Sequence, residues 1–143
     1  MRLADYSKRL LSLAQTLSTW VTSAAALDAA RREKVARYAA QIADTLARAA
    51  TALEGLQTAP GDAKLLSAVV REFGRIGGYI ETIVDVMRHH LDGRKLAGVK
   101  RRLEQLDRPN RDALGGAGAL RQQIDRLTAA EGYFRALADG LST

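Results

Sequence analysis

Leu3, Tyr6, Leu10, Leu13, Leu17, Trp20, Ala24 and Leu27 recur at alternating spacings of three and four residues. That rhythm puts all of them on one side of a helix, so the chain must begin with a long amphipathic helix carrying one apolar seam. Such a seam serves either an internal core or the docking of another helix. A second run, Val35, Tyr38, Ile42, Leu46, Ala49, Leu53 and Leu56, repeats the pattern, and neither Gly nor Pro occurs before Gly55. A single helix through residue 54 would be about 80 Å long at the helical rise, too long for a small globule. The sequence therefore predicts two long helices with a turn inside Thr22–Asp28, where Asp28 can serve as an N-cap.

The next boundary is stronger. Thr58-Ala59-Pro60-Gly61-Asp62 reads as a Pro-Gly turn followed by an Asp cap. Beyond it, Leu66, Val69, Phe73, Ile76, Ile80, Ile83 and Met87 share one helical face. Gly74, Gly77 and Gly78 fall away from the centre of that face. They predict a kink or break, or failing that a neighbour approaching closely on the other side. Asp92-Gly93 reads as a C-terminal cap. A short helix with Leu96, Val99, Leu103 and Leu106 then runs to Asp107-Arg108-Pro109-Asn110. Leu114-Gly115-Gly116-Ala117-Gly118 precedes a last helix bearing Leu120, Ile124, Leu127, Phe134, Leu137 and Leu141. On its seam stands Glu131; the 3.6-residue period lets the true stripe drift to Ala130 and Leu137, leaving Glu131 on the flank. Abundant Ala and Leu and few β-branched or aromatic residues agree with helix throughout. The expected fold is a single all-α domain over residues 1–143, an antiparallel bundle of four to six helices.

Charge is distributed unevenly. The net charge is +6, and the segment from Arg88 to Arg111 alone carries +5. On the short helix, Arg94 and Arg101 lie opposite the apolar stripe, with Lys95, Lys100 and Arg102 on its flanks. These five residues are the candidate anion or nucleic-acid contacts, acting on phosphates rather than bases because no aromatic side chain is interleaved with them. A solvated helix face gives the same pattern without any ligand.

Reactive groups are scarce. With no cysteine, disulfides, thiolate metal sites and Cys nucleophiles are excluded. His89-His90 stands near Glu81, Asp85 and Asp92, yet its two rings diverge around the helix and no third histidine exists. No Glu-x-x-His motif suggests a di-iron bundle. The glycine clusters lack the Gly-Lys-Ser/Thr ending of a phosphate-binding loop. The hydroxyl residues of the first helix have no histidine near them, and no nucleophile elbow or paired-acid motif occurs. The sequence thus predicts no enzyme, no metal and no cofactor.

Leu10–Leu27 contains no charge, but seven of its residues are polar. That pattern argues against a signal core or a membrane span and predicts a cytoplasmic protein without membrane contact. An excess of Arg over Lys, 17 to 5, fits a GC-rich bacterial genome. The expected function is a non-catalytic interaction or assembly module, an adaptor or oligomerising subunit of a bacterial signalling or defence system. It would engage a protein partner or a second copy of itself through Leu13, Leu17 and Trp20. The alternative is a subunit that grips a nucleic-acid backbone through the 88–111 segment.

Overall fold

The leading seam becomes helix α1, Leu3–Ser18, but the helix stops earlier than the spacing predicts. The cause is a cluster of hydroxyls. Thr16 Oγ1 donates to the Ser12 carbonyl at 3.0 Å, Ser18 Oγ to Gln15 at 2.8 Å, and Thr19 Oγ1 to Thr16 at 2.6 Å. These bonds crowd the last turn and offer its carbonyls partners other than helical amides. A short helix α2, Val21–Ala25, follows. The Asp28 carboxylate then accepts the Arg31 N–H at 2.9 Å and starts α3, Ala29–Thr58. The turn expected in Thr22–Asp28 thus ends where predicted and begins sooner. These elements come from a computed structural model that describes residues 2–106, 109 and 120–142.

Pro60-Gly61 closes α3. Asp62 accepts the N–H groups of Lys64 and Leu65 at 2.9 and 3.1 Å, opening α4, Ala63–Met87. The break expected at the glycines is absent: α4 runs continuously through Gly74-Gly78. No neighbour presses on Gly77 or Gly78, since a Cβ at either would meet nothing within 4 Å. Each helical glycine costs roughly 1 kcal/mol. Full burial of Phe73, Ile76, Ile80 and Ile83 on the opposite side outweighs this, at roughly 1.5–3 kcal/mol per side chain.

Asp92 also acts differently from its sequence reading. It does not cap the end of α4. Its carboxylate accepts the Lys95 N–H at 2.9 Å and begins α5, Gly93–Glu104. The last helix is α6, Leu120–Leu141. Residues 107, 108 and 110–119, which include the Gly115-Gly118 run, lie outside the described residues.

Six helices are thus present among the described residues, packed as an all-α bundle. Pairings along the chain give their directions. Arg48 meets Glu72 and Tyr38 meets Tyr79, so α3 and α4 are antiparallel. Arg135 meets Asp44 and Arg121 meets Glu54, so α3 and α6 are antiparallel as well. In contrast, α1 and α6 run side by side in one direction. Arg126 reaches Ala4 and Ser7 near the start of both helices, while Gly140 lies against Val21 just beyond the end of α1. A Cβ at Gly140 would stand 2.9 Å from Val21 Cγ2, so any larger residue there would require the Val21 side chain to shift. The bundle is therefore of mixed direction. The reason is α5, which returns antiparallel along α1 and brings the chain back to the end where α1 begins.

The interior is continuous across α1, α3, α4 and α6. Tyr6 and Phe73 bridge α1 and α4 with ring centroids 4.5 Å apart. On α6, Ala130 and Leu137 are buried, and Glu131 sits on the flank as the period implied. There it accepts from Arg135 Nε at 2.9 Å, and Arg135 also donates to Asp44 at 3.1 Å. These bonds, Glu131 first and Asp44 second, raise the Arg135 pKa above its ordinary value. Glu72, the one buried carboxylate among the described residues, is held by Arg48 and Arg75 at 3.2 and 3.6 Å. No described helix is long and apolar enough to cross a membrane.

Candidate anion-binding site

The seam of α1 is not a surface. Leu13, Leu17 and Trp20 are 1%, 0% and 3% exposed, so they line the core and have no area left for a partner. The parallel α6 covers one side of the seam and α5 closes the other. Among the described residues Tyr133 is the only large hydrophobic side chain that is exposed. A single ring falls far short of the several hundred square ångströms that mark an apolar docking patch.

What remains outside is the basic helix. α5 lies over the groove between α1 and α4, anchored by buried Val99 and half-buried Leu96 and Leu103. With 100° between residues, this apolar stripe divides the polar remainder into three sectors. Arg101 points to solvent. Arg94, Lys95, Gly98 and Arg102 border a cleft on the α1 side, and Lys100 and Glu104 border α4. All five cations expected from the sequence are exposed, but the fold does not keep them together. Lys100 shares an open cleft of about 240 Å3 with Glu81, Asp85 and Glu104, where acidic groups prevail.

The α1 side is different. A cleft of about 250 Å3 is lined by Arg94, Lys95 and Arg102 from α5, by Thr16 from α1, and by Thr19 and Trp20 just beyond its end, with no carboxylate on its wall. Arg102 Nη1 donates to Thr16 Oγ1 at 2.7 Å, which fixes the guanidinium at the rim. Thr16 accepts this bond because its own proton goes to the Ser12 carbonyl. At the far end of α5, Arg9 Nη1 donates to the Gln105 carbonyl at 2.8 Å, adding a further cation from α1. Gly98 also lines the cleft, and a Cβ there would find no atom within 4 Å.

Ion pairing sharpens the contrast. Among the described residues the ion pairs join Asp28 to Arg31, Glu72 to Arg48 and Arg75, Arg121 to Glu54 and Asp125, and Arg135 to Asp44 and Glu131. None involves a cation of α5. A like-charged row without ion-pair partners raises the local potential and attracts anions.

Sequence reasoning missed Thr16, Thr19 and Arg9. A signal was present: Arg9 and Thr16 lie seven residues apart on the polar side of α1, and so do Lys95 and Arg102 on α5. Antiparallel packing brings two such rows into register, but only once the partner of α5 is known. The histidine pair stays on the surface, where His89 Nε2 accepts from Arg88 Nε at 3.3 Å. Among the described residues no three His, Cys, Asp or Glu side chains gather as a metal site would require. Comparison with protein-family models, curated proteins and solved structures finds no match to this chain.

Proposed function

We propose that the protein is a non-catalytic interaction module whose partner is a nucleic-acid phosphate backbone, gripped by the outer and α1-facing sides of α5. The observation that carries this reading is the row of four exposed cations, Arg94, Lys95, Arg101 and Arg102, none of them engaged by a carboxylate of the described residues. They form two pairs, Arg94/Arg101 and Lys95/Arg102, each seven residues apart, which is about 10.5 Å along the helix. Cations repeated at that interval suit a polymer of phosphates better than a single small anion.

The absence of stacking groups on α5 favours duplex over single strand. Tyr6, Trp20, Phe73 and Phe134 are buried, Tyr38 and Tyr79 face each other at 5.6 Å, and Tyr133 stands on α6. Single-strand binding draws much of its affinity from aromatic platforms, whereas duplex backbones are held by charge alone. A docking role for the α1 seam, the other reading of the sequence, has no exposed residue to rest on.

The test is fluorescence anisotropy of the protein on a DNA duplex of arbitrary sequence across a salt series. Four phosphate contacts predict a log-log slope of about −3.6 and a loss of affinity on the order of 100-fold between 50 and 200 mM salt. Two duplexes of unrelated sequence should bind alike, because backbone contacts carry no base information. Binding that ignores salt, or no binding at 50 mM, overturns the proposal.

A further inference from the structure

Where α3 begins and α4 ends, a second open cleft of about 380 Å3 separates the two helices. Arg31 and Lys34 line it, about one turn apart on α3, opposite Arg88 and His89 at the end of α4. Asp85 is the carboxylate on its wall. All four basic side chains are exposed. Asp28 stands 3.6 Å from Arg31, an exposed contact that solvent largely screens. Among the described residues no carboxylate pairs with Lys34 or Arg88. The bond from Arg88 Nε to His89 uses one of the five guanidinium donors and leaves both terminal nitrogens for a ligand.

We propose that this cleft is a second anion site, separate from α5, which takes a phosphate or pyrophosphate group. Charge selects the class of ligand. Arg31, Lys34 and Arg88 stand against one carboxylate on the wall, Asp85, so the cleft carries an excess of positive charge that suits a phosphate anion. Arg88 supplies the planar fork that suits phosphate oxygens, and Lys34 a compact charge across from it. The site shares no residue with the α1/α5 cleft and does not depend on the function assigned to that helix. Sequence spacing gave no hint of it, because Lys34 and Arg88 lie more than fifty residues apart.

The experiment is an amide-resolved NMR titration of the full chain with sodium pyrophosphate at constant ionic strength. Saturable shifts are expected in the amides of Arg31, Lys34, Arg88 and His89. The Lys34→Gln/Arg88→Gln variant should weaken that binding roughly tenfold or more, since two charge-assisted donors are lost. An Arg94→Glu/Arg102→Glu variant should leave it unchanged, which separates this site from the α5 face. Both pairs are exposed, and the spectra themselves report whether the variants fold. Shifts confined to α5, shifts that never saturate, or full binding by a folded Lys34→Gln/Arg88→Gln variant would overturn the proposal.

Discussion

Leu17→Asp should yield a protein with little helical signal and no cooperative melt. Leu17 is fully enclosed within a continuous core. An aspartate there must either bury a charge without a partner or open the helix packing around it. Mutational data place an uncompensated buried charge at about 3–5 kcal/mol, and the lost apolar burial adds roughly 2 kcal/mol. A domain of this size has about 5–15 kcal/mol of stability in all, so the substitution removes most of the margin. Gln15→Asp, one helical step to the exposed side of α1, should change stability by no more than about 0.5 kcal/mol. Circular dichroism and urea titration decide the matter. A Leu17→Asp protein that melts like the parent would mean that the α1 seam faces outward after all, as a docking surface must.

The second large effect concerns binding alone. Reversing Arg94, Lys95, Arg101 and Arg102 to Glu should lower affinity for a generic duplex on the order of 1,000-fold at 0.1 M salt, because about four counterion-releasing contacts are lost. All four side chains are exposed, and α5 keeps its anchors at Leu96, Val99 and Leu103. The variant should therefore stay helical, with one internal bond lost, that from Arg102 to Thr16. A control separates local contact from bulk charge. Lys64→Glu with Arg71→Glu, at the opposite end of α4, should weaken binding less than about tenfold, through the general field of the protein. Equal losses from the two variants would reduce the α5 row to a contribution of net charge.

Much of this fold was legible from periodicity. The four longest helices follow apolar faces visible in the sequence, and Asp28 and Asp62 cap where a short acidic side chain before a helical run implies. The readings that failed have a common origin: they weighed a local residue preference without knowing what surrounded it. Gly74, Gly77 and Gly78 looked like a break, but the burial of Phe73, Ile76 and Ile80 beside them holds the helix. Asp92 looked like an ending because Gly93 follows it, yet it begins the next helix. The parallel pairing of α1 with α6 could not be read from the sequence, since direction depends on where α5 lays the chain down.

The site was half legible. The basic residues of α5 stood out by charge, and their exposure agrees with the helical wheel. What composition conceals is their division into two flanks, one facing Thr16 and Thr19 without acidic groups, the other facing Glu81 and Asp85. Lys100 belongs to the second flank, so the proposed anion binding should depend on it less than on its neighbours. The choice between a docking seam and a core was open to sequence reasoning, since a three-four repeat serves both. Burial of Trp20 against the α5 side closes it.

Amide hydrogen exchange of the protein, alone and saturated with a DNA duplex, addresses both halves of the account at once. With duplex bound, exchange should slow most in peptides covering Gly93–Glu104, with at most a smaller change around Thr16–Trp20, where the start of the chain lines the same cleft. Protection gained along Leu13–Trp20, with α5 unaltered, would contradict it.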